Sequence, residues 1–357
     1  MQNKDKSIIL QNLKESSTEW INGQGPLSDI VISSRIRLAR NVEGIPFSPR
    51  AEQAELKNIF ELSRQIVEED SLFKDSNLLL LDELTPLESQ FLVEKHLISI
   101  YHAQEKHPYR GCVFNQKETL SVMVNEEDHF RIQYLLSGLQ LKNIWKLISE
   151  IDDEIEKKVT YAFSEKEGYL TSCPTNVGTG MRASIMLHLP AIVMVNGIND
   201  ILKAISKIGY VVRGFYGEGT EVMGSLFQVS NQITLGLSEE EIIDNLEKVN
   251  QQIINKEQKA RKELLSNSKN QLEDQAWRAY GILSSARIIS SAEAMELLSK
   301  LRFGVGLGII PHPNLGTLNK LMLLIQPAYL QMLTGKDLDH LSRDLQRAVL
   351  IRNEISR

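Results

Sequence analysis

The periodicity of the apolar residues changes completely near Gly236, and that change limits the folds open to this chain. Between about Leu120 and Gly236 the runs LSVMVNEEDHFRIQYLL, YLTSCPTNVG, RASIMLHLP, GYVVRGFYGEG and GSLFQVSNQITLG carry alternation or short β-rich stretches punctuated by Gly, Pro or Asn. Two helical patterns interrupt them, LKNIWKLISEIDDEIEKKV and AIVMVNGINDILKAISKIG, the second stopped by Gly209. Beyond Gly236, Ser238 and Glu241 form a capping box opening a long charged helix through about Leu265, and Ser290 with Glu293 suggests another start. Almost everything later reads as helix. The expected architecture is therefore a mixed α+β body followed by a helical C-terminal domain, with the boundary near residues 236–260.

At 357 residues the chain can bury a large core and build more than one domain. Its formal net charge of −6 and pI near 5.8 argue against nucleic-acid binding through bulk charge. No apolar run is long enough to span a membrane and the N-terminus lacks a signal-peptide pattern, so the expected location is the cytoplasm. Two cysteines, Cys112 and Cys173, make neither a disulfide framework nor a metal-binding pattern.

Against that acidic background, SSRIRLARN (Ser33–Asn41) is conspicuous. It continues the apolar Ile30–Ile32 and alternates Arg35, Ile36, Arg37 and Leu38, so a strand here carries two guanidinium groups on one face, about 6.6 Å apart. NEEDHFR (Asn125–Arg131) crowds three acids against His129 and Arg131; a run of acids is by itself usually a solvated turn, but this one continues an apolar strand with no Gly or Pro to mark a hairpin tip. CPTNVGTGMRAS (Cys173–Ser184) pairs a thiol with Gly178 and Gly180, which would let backbone amides approach a phosphate, although an ordinary turn is the favoured reading. RGFYGEGTE (Arg213–Glu221) places Glu218 among three glycines, as in a mobile active-site lid or a plain surface loop. GVGLG (Gly304–Gly308) lacks a complete nucleotide fingerprint and reads as a linker between helices. In SRDLQRA, Arg343 and Arg347 share one helix face, for which a solvated surface is the favoured reading. Taken together, Arg35, Arg37, Arg131, Arg182 and Arg213 all sit on or beside apolar strands, so one sheet could gather five permanent cations into a pocket for a nucleoside triphosphate and its metal. Glu127 and Glu218 would then be available for the acceptor.

In order and spacing, SSRIRLARN, NEEDHFR, CPTNVGTGMRAS and RGFYGEGTE resemble the signature segments of the phosphagen (guanidino) kinases, the family of creatine and arginine kinases. Within that family the chain most resembles the bacterial protein-arginine kinase branch, the McsB type. Only about thirty residues precede the arginine strand, where small-guanidine kinases carry a whole helical domain. Met186 follows RASI where those kinases commonly have His, and RDLQRA resembles the branch's phosphoarginine-binding motif RDxxRA.

The resemblance implies an α+β catalytic domain over residues 27–250, with a largely antiparallel sheet flanked by helices. An N-terminal segment, 1–26, would precede it, and an all-helical C-terminal domain, 251–357, would follow. It further implies ATP and Mg²⁺, with no protein-held metal. The nucleotide would be bound by Ser33, Ser34, Arg35, Ile36 and Arg37; by Arg131; by Arg182, Ala183, Ser184, Ile185 and Met186; and by Arg213, Gly214, Phe215, Tyr216, Gly217 and Glu218. Glu127 would be the principal catalytic carboxylate, Glu126 its neighbour near the magnesium, Glu218 the loop carboxylate closing on the guanidinium, and Cys173 the thiol beside the reacting nitrogen. Arg343, Asp344, Arg347 and Ala348 would bind phosphoarginine. The implied reaction is phosphoryl transfer to arginine residues of proteins, marking them for Clp-type degradation and inactivating a heat-shock repressor. The implied partners are those protein substrates, a zinc-binding activator, the repressor, a Clp-type unfoldase and a second copy in a homodimer, with neither nucleic acid nor membrane. A kinase for free arginine or another small guanidine, and a non-catalytic phosphoarginine-binding adaptor, remain the alternatives.

Overall fold

The structure, a computed structural model, describes residues 3–16, 18–214 and 223–356. In chain order the helices are α1 (Asn3–Glu15), α2 (Gln53–Glu69), α3 (Pro86–Glu94), α4 (Ile100–Gln104), α5 (Leu141–Glu156), α6 (Pro190–Met194), α7 (Ile198–Lys207), α8 (Glu239–Ser285), α9 (Ser291–Gly306), α10 (Leu315–Leu324), α11 (Pro327–Thr334) and α12 (His340–Ile355). The strands are β1 (Val31–Arg40), β2 (Ser76–Leu80), β3 (Gly111–Asn115), β4 (Leu120–Val124), β5 (Phe130–Ser137), β6 (Phe163–Ser164), β7 (Gly168–Tyr169), β8 (Met181–His188), β9 (Tyr210–Arg213) and β10 (Leu226–Asn231). Eight strands form one antiparallel sheet in the order β2-β3-β4-β5-β1-β8-β10-β9, and β6 with β7 makes a small separate ribbon.

Because side chains alternate across a strand, the register sorts every residue to one of two faces. Ile36, Leu38, Ile132, Ala183, Ile185 and Val229 point to one face and join a core with Ile144 and Ile148 of α5, Ile59 of α2, and Ile253 and Ile254 of α8. On the other face, two apolar clusters leave a gap between them. Leu135, Met186 and Leu226 pack with Trp20 and with Leu298, Leu301 and Leu321 of the C-terminal helices, while Cys112, Phe114 and Met123 pack with α1, α3 and Tyr329 of α11. The helical C-terminal region thus seats on the sheet and frames the space over its middle strands. No described helix is long and apolar enough to cross a membrane.

Several elements differ from their sequence expectations. AIVMVNGINDILKAISKIG is two helices, α6 and α7, because Asn196 takes a left-handed φ of 58° and Gly197 starts the second. The helix capped by Ser238 runs past Leu265 to Ser285, with one non-helical residue, Ser268, inside it. GVGLG is not a free linker, since its first three residues finish α9. There Gly304 lies so near α8 that a Cβ on it would be 2.6 Å from Ala276 Cβ. Most of YLTSCPTNVG is loop, with only its first residue, Tyr169, in strand β7 and a single 3₁₀ turn at Pro174–Asn176. NEEDH is a hairpin tip after all: Asn125, at φ 55°, supplies the left-handed residue that a glycine would otherwise provide, and its N–H donates to His129 O at 2.9 Å.

Candidate active site

The antiparallel register makes the site. Arg37 is paired with Arg182 across β1 and β8, Arg35 with Ser184, Ala39 with Arg131 across β1 and β5, and Gln228 with both Met186 and Arg213. Cross-strand partners share a face, so all five arginines project into the gap between the apolar clusters. They line one cleft of about 270 Å³ together with Glu126, Glu127, His96, Ser99, Tyr101, Gln133 and Gln228. The expected convergence of Arg35, Arg37, Arg131, Arg182 and Arg213 is therefore what the strand order produces.

Among the described residues, five guanidinium groups against two carboxylates leave the cleft strongly positive. Burial, then the neighbouring Arg131, Arg213 and Arg182, lower the Arg35 pKa to about 10. Burial and then Arg35, Arg131 and Arg182 push the Arg37 pKa well down too, and among the described residues Arg37 Nε has no hydrogen-bond partner. Arg35 is held by Gln228 Oε1, which accepts from Nη2 at 2.9 Å, and more weakly by Ser184 Oγ at 3.3 Å from Nε.

The two glutamates differ in kind. Glu126 is fully buried, ion-paired to Arg131 and accepting from Ser99 Oγ; burial raises its pKa, but Arg131, His102 and Ser99 outweigh that and hold it below the usual carboxylate range. Glu127 sits at the edge, 3.8 Å from Arg131 Nη2, and accepts a long 3.4 Å hydrogen bond from Asn176 Nδ2. Burial first, then repulsion from Glu126 and Asp128, raise its pKa against the pull of Arg131. A carboxylate with a raised pKa and a lightly held oxygen is a competent proton acceptor.

Cys173 is half-buried, with Sγ 3.1 Å from Thr175 Oγ1, and is not among the side chains lining the cleft; Asn176, three residues on, links its loop to Glu127. Gly178 and Gly180 are each pressed against another stretch of chain. A Cβ at Gly178 would lie 2.2 Å from Thr234 O, and one at Gly180 2.6 Å from Ala39 O, so both glycines serve close chain packing. Ser34, Ile36, Ala183 and Ile185 turn their side chains to the helix-covered face, and Ser34 Oγ is spent on Gly138 O at 2.8 Å. Ser33, Ser184 and Met186 instead line a narrow recess beside the cleft with Trp20 and His96. Gly214 is buried at the end of β9, whereas Phe215, Tyr216, Gly217 and Glu218 lie outside the described residues.

The sequence matches the family model of the ATP:guanido phosphotransferase C-terminal catalytic domain over residues 58–260. It matches the protein-arginine kinase McsB C-terminal domain over residues 269–357. Over 355 residues it is 48% identical to a protein-arginine kinase of Halothermothrix orenii, covering 98% of this chain and 99% of that one. Over 346 residues it is 50% identical to one of Bacillus cereus, covering 96% and 97%. The chain belongs to the protein-arginine kinase family. It is an ATP-dependent phosphotransferase of the guanidino type. Among solved structures, the duplicated taurocyamine kinase of Schistosoma mansoni superposes with a TM-score of 0.59 at 27% identity, over 65% of this chain and 33% of that one. Lombricine kinase superposes equally well, 0.59, at 24% identity over 66% and 68%, a likeness of fold.

For a protein-arginine kinase the motif RDLQRA is placed unexpectedly. Arg347 is not on a solvated face: it is buried, its Nε donating to Ile325 O and its Nη1 to Ile289 O, both at 2.9 Å, and it pairs with Asp344. Ala348 is buried beneath it, while Arg343 is half-exposed and reaches Leu338 O at 3.0 Å. Of the cleft residues that sequence reasoning did not single out, Gln133 was within reach, standing two residues after Arg131 on the same strand face, and Gln228 interrupts an apolar run. His96 and Ser99 come from the connection between α3 and α4, and Tyr101 from the short α4, and none carries a local signal; nor does Asn176, which reaches Glu127 from the Cys173 loop.

Proposed function

We propose that the chain transfers the γ-phosphoryl group of ATP to a guanidinium nitrogen of arginine residues in proteins. The observation that carries this reading is the face of five arginines with Glu127 at its margin. The arginines suit a triphosphate because guanidinium groups stay protonated and bind phosphate oxygens in pairs. Among the described residues no group of three or more His, Cys, Asp or Glu could hold a metal, and Glu126 is already engaged. That donor set fits Mg²⁺ carried mainly on the phosphates, where it would offset charge on the transferring group.

Glu127 is the residue assigned to the acceptor. It orients the guanidinium and takes its proton as the nitrogen lone pair attacks the γ-phosphorus and the bond to the β,γ-bridging oxygen breaks, releasing ADP. Cys173 and Glu218 enter as further anionic contacts on the resemblance alone, Glu218 lying outside the described residues. Arg343, half-exposed beside the Asp344–Arg347 pair, is the group through which phosphoarginine would be held. Family likeness, rather than a surface of this chain, supports a homodimer, a zinc-binding activator, a heat-shock repressor as substrate and a Clp-type unfoldase.

The test is incubation with ATP and Mg²⁺ plus either an unstructured protein or free arginine, with acid-labile phosphoarginine read by mass spectrometry. Phosphoarginine on the protein, lost in Glu127→Gln, is the expected result. Turnover of free arginine alone would make this a small-guanidine kinase, and turnover of neither would leave only a binding role.

A further inference from the structure

The loop carrying Cys173 and the turn carrying Glu127 are separated by more than forty residues, yet one buried carboxylate ties them together. Asp128 is 1% exposed, and a single oxygen, Oδ1, accepts from Ser172 N at 2.6 Å and from Asn41 Nδ2 at 2.6 Å. Asn41 is equally buried. Its Nδ2 also donates to Leu170 O at 3.0 Å, and its Oδ1 accepts from His129 N at 2.9 Å.

This knot joins the end of the arginine strand, the hairpin tip beside Glu127, and the residue directly before Cys173. From the same loop, Asn176 Nδ2 then reaches Glu127 Oε1 at 3.4 Å. Glu127 and Cys173 hang from the two sides of one hydrogen-bonded centre, with Arg37 and Arg131 on the strands behind it.

Resting on the phosphoryl-transfer reading above, we infer that Asp128, with Asn41, is a positioning residue for the acceptor side of the reaction. It touches neither substrate nor reacting atoms. It sets the separation between the carboxylate that takes the proton and the loop that carries the thiol. A misplacement of about 1 Å in such a pair can cost about 10²-fold in rate. What the knot needs from Asp128 is an oxygen able to accept two hydrogen bonds, which an asparagine side chain also has.

Three readouts on the full chain separate positioning from a general structural role. Asp128→Ala lowers kcat for protein phosphorylation about 10²-fold with KM for ATP unchanged, since the arginines are held by strand pairing within the sheet and not by the knot. Asp128→Asn recovers most of that loss. Alkylation of Cys173 by iodoacetamide without nucleotide speeds up in Asp128→Ala, because Ser172 has lost its anchor, while the fully buried Cys112 stays unreactive as the control for folding. Asn41→Ala, which removes one donor and one acceptor of the knot, shifts the same readouts in the same direction and serves if Asp128→Ala unfolds.

Unchanged kcat in Asp128→Ala overturns the inference. So does lost kcat with unaltered Cys173 alkylation, or an Asp128→Asn variant as impaired as Asp128→Ala. If the unmodified chain phosphorylates no arginine, the functional reading falls, yet the alkylation rates still decide whether the knot holds the thiol loop.

Discussion

Arg37 and Arg182 stand directly opposite each other on adjacent antiparallel strands, two like charges in a position where the sheet would ordinarily place an opposite charge or an apolar pair. Among the described residues Arg37 Nε has no hydrogen-bond partner, and burial and then the surrounding arginines hold the Arg37 pKa down against the opposing pull of Glu126. Such an arrangement costs stability until an anion enters, which couples ligand binding to folding.

Arg37→Met should therefore leave the ligand-free melting temperature unchanged or raise it, while abolishing most of the stabilisation conferred by ATP. For the unmodified chain that stabilisation should approach about 2.7 kcal/mol at a hundredfold excess over Kd. Thermal unfolding with and without nucleotide checks both parts, and a ligand-free variant that melts well below the parent would contradict the idea of stored repulsion.

Glu127→Gln keeps the shape of the side chain but cannot take a proton. The expected loss in kcat is about 10²–10⁴-fold with nucleotide affinity retained. Since the Glu127 pKa is raised by burial and by its acidic neighbours, and the base must be ionised, the acidic limb of the kcat profile should fall at a higher pH than an ordinary glutamate would give. A pH–rate profile flat down to the ordinary glutamate range would remove Glu127 from that role.

Glu94, at the end of α3, accepts the backbone N–H groups of Ala328 at 3.0 Å and Tyr329 at 2.6 Å, at the start of α11, and so clasps the C-terminal helices to the catalytic body. Burial raises its pKa from 4.5 to about 7 despite those two bonds. A carboxyl group whose folded value lies above its unfolded one binds the extra proton when folded. Its contribution is complete below about pH 4.5 and lost as pH rises through about 7. Chemical denaturation of the parent should show up to about 3 kcal/mol of decline from this group across that window, and Glu94→Gln should flatten it.

The two arginines of RDLQRA should behave differently. Arg347→Ala strands Ile325 O, Ile289 O and the Asp344 carboxylate in the interior and should destabilise the C-terminal helices by about 3–5 kcal/mol. Arg343→Ala touches one carbonyl and should change stability by about 0.5 kcal/mol or less, while weakening capture of phosphoarginine peptides. Urea denaturation beside peptide titration measures both, and equal destabilisation by the two variants would contradict the placement.

Local spacing already pointed to much of the site. Alternation along SSRIRLARN puts Arg35 and Arg37 on one side of a strand whatever its neighbours are, and the Ser238–Glu241 box marks the start of α8 because both partners lie within one turn. The same spacing left NEEDH open between a solvated turn and a continuing strand, because Asn125 stands where a glycine would have marked the tip. It also missed His96, Ser99 and Tyr101, which reach the cleft only because α3 and α4 fold over the edge of the sheet.

Backbone periodicity and capping are short-range, so the letters of this chain suffice to list its arginine-bearing strands, its helices and the candidate acids. Which strand lies beside which is a long-range matter. The order β5-β1-β8-β10-β9 is what turns five separated arginines into one cleft, and it also makes Glu126 a paired, buried anion while leaving Glu127 lightly held. Burial likewise made Arg347 a strut inside the helical region, because the carbonyls it satisfies belong to residues 22 and 58 positions away. Charge, hydrogen bonding and desolvation act through space, and no spacing along the chain encodes them.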